Sequence, residues 1–200
     1  MRIGIDIDDT ITNSSDIFVE YAKQYNKEKN IQHKININSL DVKESYGWEK
    51  ENLNEFLHKY LEVALNNIDS KSDSIEIINK LKKEGHEIYF ITARSEREIE
   101  GGMLELTENW LNKHGFNYDL LVINSKEKLK DCIKYGIDIF IDDSYRNCKL
   151  IKDGIGIPVL LFTTRYNIKE KDESLIRVSN WYEIYNYLKS IQEEKLWKKL

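Results

Sequence analysis

The chain has 200 residues and a mass of 23.8 kDa, enough for one buried core with a small appendage and too little for a multidomain assembly. Its 30 Lys and Arg against 35 Asp and Glu leave a net charge of -5, the wrong sign for a protein that coats polynucleotides. Hydrophobic residues make up 40% of the sequence, which supplies a core and excludes global disorder.

Two cysteines, Cys132 and Cys148, are too few for a disulfide framework and lack the CxxC spacing of a thiolate metal site. No apolar run has the form of a signal peptide or reaches the roughly 18 residues of a membrane span. The expected location is the cytoplasm, with no membrane partner.

In chain order, residues 2–7 read as a first strand. Residues 14–74 then interrupt the pattern with far more chain than one crossover helix needs. Within them, residues 16–29 predict a helix with Ile17, Tyr21 and Gln24 on one stripe. Residues 51–65 predict another, with Leu53, Phe56, Leu57, Tyr60, Leu61 and Ala64 at helical spacing. A further helix starts near Ser72, with Ile75, Ile78 and Leu81 in register and Asp73 and Glu76 spaced as a capping box.

Three joints follow in which a Lys-bearing helix end meets one glycine and then an apolar strand: Gly85 before residues 86–91, Gly115 before 118–123 and Gly136 before 137–141. Glycine there suits the left-handed turn that ends a helix, and lysine complements the helix dipole. A fifth strand is expected at 158–162 and a final helix at 180–200, with Trp181, Ile184, Tyr185 and Leu188 on one face. Strand and helix alternate as in an α/β protein with a doubly wound parallel sheet. Residues 1–13 and 75–200 would form its core, and 14–74 a small helical cap inserted after the first strand.

Ligands of open parallel sheets bind beyond the carboxyl ends of the strands. Asp6 and Asp8 close the first strand, Thr92 and Arg94 follow the second, Lys128 precedes the fourth, and Asp142 and Asp143 end it. A single DxD reads first as a turn or helix cap. Two acidic strand ends together read as an all-oxygen site for a hard cation, because like charges about 4 Å apart repel by roughly 4 kcal/mol at an effective dielectric of 20.

The run Ile3-Gly4-Ile5-Asp6-Ile7-Asp8-Asp9-Thr10-Ile11 resembles the first motif of the haloacid dehalogenase-like phosphohydrolases. Residues 88–92, ending in Thr92, resemble the second, and residues 139–143, ending in Asp142-Asp143, the fourth. Thr92-Ala93-Arg94, Thr107 with Trp110-Leu111, and Lys128 through Cys132 look like the cytosolic 5'(3')-deoxyribonucleotidase-like group and its bacterial relatives. The resemblance implies a Rossmann-like core and a Mg2+-dependent phosphomonoesterase working through an aspartyl-phosphate. Asp6 would be the nucleophile and Asp8 the general acid and then base, with Thr92 and Lys128 also catalytic.

The metal would lie among Asp6, Asp8, Asp142 and Asp143, with Asp143 a direct ligand, Asp142 a direct or outer partner and Asp8 contributing its main-chain carbonyl. Lys126 and Lys130 compete with Lys128 for the phosphate; its spacing from Asp142 and the following Cys132 favour Lys128. Thr10, Ala93 and Arg94 would contact substrate, Arg94 equally well capping a helix. Thr107, Trp110 and Leu111 read as helix packing. Tyr46 and Trp48 are suited to stacking a nucleobase, although either alone packs more often than it binds.

The implied substrate is a small phosphorylated metabolite, a (deoxy)nucleoside monophosphate first. A sugar or other organic phosphate is the same-class alternative, and a catalytically weak binding module the different-class one. Removal of terminal phosphate from nucleic acid is disfavoured by the acidic balance. The histidines lack ligand spacing, Gly154 and Gly156 form no dinucleotide fingerprint, and no Walker A sequence occurs.

Overall fold

The computed structural model describes residues 1–39, 41–96, 99 and 102–197, with side chains to residue 193. β1 (Arg2–Ile5), β2 (Glu87–Ile91), β3 (Leu120–Val122), β4 (Ile139–Asp142), β5 (Val159–Phe162) and β6 (Ile176–Val178) form one sheet in the order β3-β2-β1-β4-β5-β6. Every pairing is parallel. The order reverses between β1 and β4, so the crevice beyond their carboxyl ends is the place where such sheets bind ligands.

The central strands are near-continuous apolar runs because helices cover both faces. Ile3, Ile5, Phe90, Ile139, Ile141 and Leu160 are wholly buried. Gly4 is required where it stands, since a Cβ would lie 2.6 Å from the Phe140 ring. β1 is shorter than expected: Ile7 leaves the ladder, and its carbonyl instead accepts from the N–H groups of Thr10, Ile11 and Thr12. That wrap, with Asp9 at a left-handed φ of 55, turns the chain over the end of the sheet.

The three joints form through left-handed Gly85, Gly115 and Gly136. They end α4 (Ser74–Lys83), α5 (Met103–His114) and α6 (Lys128–Tyr135). The capping box expected of Asp73 and Glu76 does not form. Asp73 sits at φ 64 and makes no side-chain cap bond, while the Ser74 hydroxyl donates to the Lys71 carbonyl. α7 (Tyr145–Ile155) joins β4 to β5. α8 (Trp181–Trp197) docks through buried Trp181, Ile184 and Leu188, and the Trp181 indole N–H donates to the Thr10 carbonyl at 3.2 Å. No helix among the described residues is long and apolar enough to cross a membrane.

Between β1 and α4 lie α1 (Ser14–Glu28), α2 (Val42–Tyr46) and α3 (Lys50–Asn67). The buried stripe of α1 is Val19, Ala22, Tyr25 and Asn26, rotated from the expected one: Gln24 is exposed and Ile17 and Tyr21 are half-buried. The rotation follows from packing, because Ala22 and Tyr25 meet Trp48, Phe56 and Tyr60 in an apolar cluster proper to this insert. Tyr25 and Trp48 pack edge-on at 5.1 Å, a geometry worth about 0.5–1.5 kcal/mol beyond area burial.

The two ends of the insert run side by side. Thr12 and Ser70 form an antiparallel bridge; the Asn13 N–H donates to the Asp69 carbonyl at 2.9 Å and the Lys71 N–H to the Ile11 carbonyl at 2.8 Å.

Candidate active site

β1 and β4 are neighbours, and the Asp6 N–H donates to the Ile141 carbonyl at 2.9 Å, so their acidic ends emerge together. Asp6, Asp142 and Asp143 are all buried, and each offers an oxygen within 4.8 Å of the others. Lys128, the first residue of α6, reaches into this group. Its Nζ lies 2.6 Å from Asp6 Oδ1 and 2.7 Å from Asp142 Oδ2, with only 5% of its side chain exposed. Lys126 is exposed and Lys130 pairs with Glu127 at the surface, so neither enters the group.

Asp142 is further held by the Ser144 N–H at 2.7 Å and the Asn147 amide at 3.1 Å. Asp143 accepts from the Thr10 hydroxyl at 3.3 Å and from the Tyr166 hydroxyl. Thr10, expected to contact substrate, is therefore a buried support for Asp143, its hydroxyl turned inward.

Three buried carboxylates against one buried ammonium leave a formal charge of about -2, which burial makes costly. Burial raises the Asp6 carboxyl, Lys128 pulls it down, and Asp142 and Asp8 raise it again, to about 7. Burial, then Asp142 and Asp6, push Asp143 well above the usual carboxylate range. For Lys128, burial works to lower the ammonium, but Asp142 and Asp6 outweigh it and hold it above the usual lysine range. A divalent cation removes the mismatch, and an all-oxygen donor set suits a hard one.

A proton on Asp6 competes with such a cation. Its pKa is raised from 3.8 to about 7, so without metal the folded chain loses stability as pH rises between those values, and bound metal offsets the loss. The increment in Tm given by saturating Mg2+ should therefore grow from pH 6 to pH 8, and the Mg2+ dissociation constant should fall by up to about tenfold per pH unit below 7. Increments equal at both pH values would contradict this account.

The Asp8 carboxylate lies outside the acidic group, against Arg94. Arg94 Nε donates to Oδ2 at 2.9 Å and Nη2 to Oδ1 at 2.7 Å, and the Ser14 hydroxyl donates to Oδ1 at 2.6 Å. Burial works to raise Asp8, but Arg94 and Ser14 outweigh it and hold its carboxyl below the usual range. Arg94, with 4% of its side chain exposed, is thus committed to Asp8 instead of standing free for phosphate. Thr107, read as helix packing, touches Arg94 Nη1 at 3.4 Å and forms part of this pair's support. Thr92 is buried at the end of β2 with its hydroxyl accepting from the Arg94 N–H at 3.2 Å, and Ala93 is exposed beside it.

The sequence profile of the haloacid dehalogenase-like hydrolases matches residues 3–114. The chain belongs to that family. It is 30% identical to "Putative nucleotidase YqfW" of Bacillus subtilis, over 94% of this chain and 93% of the relative. It is also 30% identical to "Nucleotidase CA_C3379" of Clostridium acetobutylicum, over 97% and 96%. In fold it is similar to the haloacid dehalogenase-like hydrolase SP0104 of Streptococcus pneumoniae, with a TM-score of 0.68 at 16% identity over 94% of this chain and 97% of the other.

The insert aromatics of this hydrolase divide. Trp48 is 2% exposed, donates its indole N–H to Asn26 Oδ1 at 2.5 Å and lies 4.6 Å from Phe56. The structure corrects its expected role in stacking a nucleobase: left-handed Gly47 turns the chain so that the ring enters the insert's core. Trp48→Ala should cost about 3–5 kcal/mol of stability, read by urea unfolding. A loss below about 1 kcal/mol together with an altered substrate preference would return the ring to the substrate. Tyr46 stacks on Trp48 and borders a recess of about 70 Å3 with Ser15, Arg165 and Tyr166. A larger recess of about 280 Å3 has Asp8, Ala93 and Arg94 on one side and Phe18, Leu57 and Leu61 of the insert on the other.

Ser14, Asn147 and Tyr166 were missed by sequence reasoning. Tyr166 carried a usable signal, since it follows the carboxyl end of β5 as Thr92 follows that of β2. Ser14 and Asn147 lie in the first turns of helices, where polar residues are ordinary.

Proposed function

We propose that this hydrolase is a Mg2+-dependent phosphomonoesterase of small phosphorylated metabolites, nucleoside monophosphates first, acting through an aspartyl-phosphate on Asp6. The observation that carries the reading is the contact of Asp6 with Lys128 at 2.6 Å inside the Asp6, Asp142 and Asp143 group. The names of the two nucleotidase relatives support the substrate class.

Asp6, Asp142, Asp143 and the Asp8 carbonyl would hold Mg2+, which when bound screens the phosphate charge from the attacking carboxylate. An Asp6 oxygen forms the bond to phosphorus as the ester oxygen leaves. Asp8 gives that oxygen a proton, then takes one from the water that releases phosphate and restores Asp6. Thr92 and Lys128 orient the phosphate oxygens. In the pair with Arg94, Asp8 is ionised and ready as base; to serve as acid it must first take up a proton from solvent, which needs Arg94 drawn off, and the arriving phosphate is the competing acceptor.

The organic group fits the recess beside Asp8, with residues 14–74 as lid and residues 1–13 and 75–200 as catalytic core. Both cysteines are buried and free, which supports the cytoplasm as its compartment. Phosphate release from nucleoside monophosphates and sugar phosphates, with and without Mg2+, tests the reading. Nucleotides should lead the panel, and no Mg2+-dependent release from any substrate would overturn it.

A further inference from the structure

The loop between β5 and β6 is built to deliver one hydroxyl. Asn167, buried, donates its amide to the carbonyls of Asp143 and Phe162, both at 2.7 Å. Its Oδ1 accepts from the Thr164 N–H and from Arg177 Nη1, each at 3.0 Å. Arg177 Nη2 closes the loop on the carbonyls of Asn167 at 3.2 Å and Glu170 at 2.6 Å. The Arg177 side chain reaches this loop from the middle of β6, and Tyr166 is thereby fixed next to the acidic group.

The Tyr166 hydroxyl meets Asp143 Oδ2 while the Thr10 hydroxyl meets Oδ1. The Asp143 carboxylate is therefore held at both oxygens, each keeping a lone pair for a further partner. The same hydroxyl lies 2.9 Å from Asp9. Asp9, in turn, accepts from the N–H of Ser15 at 2.9 Å and from its hydroxyl, both in the first turn of α1. A single phenol thus links a carboxylate of the acidic group to the first helix of the insert.

We propose that Tyr166 is a positioning residue for the divalent cation: it fixes the Asp143 carboxylate in its ligating orientation and couples that orientation to the seating of α1. The inference rests on the metal-dependent reading above. Outer hydrogen bonds to ligating carboxylates carry about 10–100-fold in metal affinity.

The test is calorimetric titration of Mg2+ and Mn2+ into metal-free wild type and Tyr166→Phe, with Tm of the metal-free proteins and steady-state kinetics beside it. Tyr166→Phe should weaken both ions about 10–100-fold, leave kcat at saturating Mg2+ within about threefold, and require more Mg2+ for half-maximal rate. Arg177→Lys keeps the phenol but loosens its loop, and should give an intermediate weakening if Tyr166→Phe does not fold. Wild-type affinity in Tyr166→Phe, or a lower metal-free Tm with unchanged metal affinity, would overturn the inference alone. A wild-type protein that binds neither ion would overturn the metal-dependent reading itself.

Discussion

Asp6→Asn should abolish turnover while leaving the metal-free protein at least as stable as wild type. The amide keeps the shape and an acceptor for Lys128, so packing and the contact at 2.6 Å have a substitute, but it cannot form the acyl-phosphate. Loss of at least a thousandfold in phosphate release, about 4 kcal/mol of barrier, is expected at any Mg2+ concentration. The stability effect has the opposite sign because ionised Asp6 is disfavoured where it lies, its carboxyl being raised to about 7. Removing that charge also removes the share of Asp6 in the decline of metal-free stability between pH 4 and 7. Single-turnover assays and Tm in EDTA at pH 6 and 8 check both halves. Activity within tenfold of wild type would remove Asp6 from the role of nucleophile.

Lys128→Met should fail in the other direction, losing both activity and stability. The ammonium is the partner of Asp6 and of Asp142, which is wholly buried, and methionine fills the stem but leaves both carboxylates unpaired. Stripping one partner from a buried ion pair costs about 3–5 kcal/mol. The loss should be greatest without metal at pH 8 and smaller at pH 6, where Asp6 takes up a proton. Adding Asp6→Asn to Lys128→Met should restore part of the stability and none of the activity, a coupling that a double-mutant cycle measures. Additive losses would show that the two side chains do not share one charge balance.

Much of this arrangement was legible in the amino-acid order. The strands at the centre of the sheet are apolar runs, and three glycines mark where helices hand over to them. The edge strand β6 was not legible, because Ile176–Val178 carries an outward Arg177 in the middle of three residues and shows no run at all. Looking for polar residues at strand ends picked out Asp6, Lys128, Asp142 and Asp143, which lie together in the structure. It could not say which polar group there faces its neighbour and which faces open space. Thr10 and Arg94 turn inward to Asp143 and Asp8 for reasons of three-dimensional pairing. Trp48 failed similarly: an aromatic in a polar loop looks exposed until the left-handed Gly47 before it is known.

The antiparallel bridge between Thr12 and Ser70 makes the helical insert a graft. Its stumps already touch, so the sheet does not register how much polypeptide departs and returns between them. Loop closure grows by only about 0.6 kcal/mol for each doubling of length, and a segment much longer or shorter could be spliced at that point for little more. Exchanging one continuous stretch of gene would then replace the Phe18, Leu57 and Leu61 wall of the recess beside Asp8, while the strands and the acidic residues at their ends stay where they are.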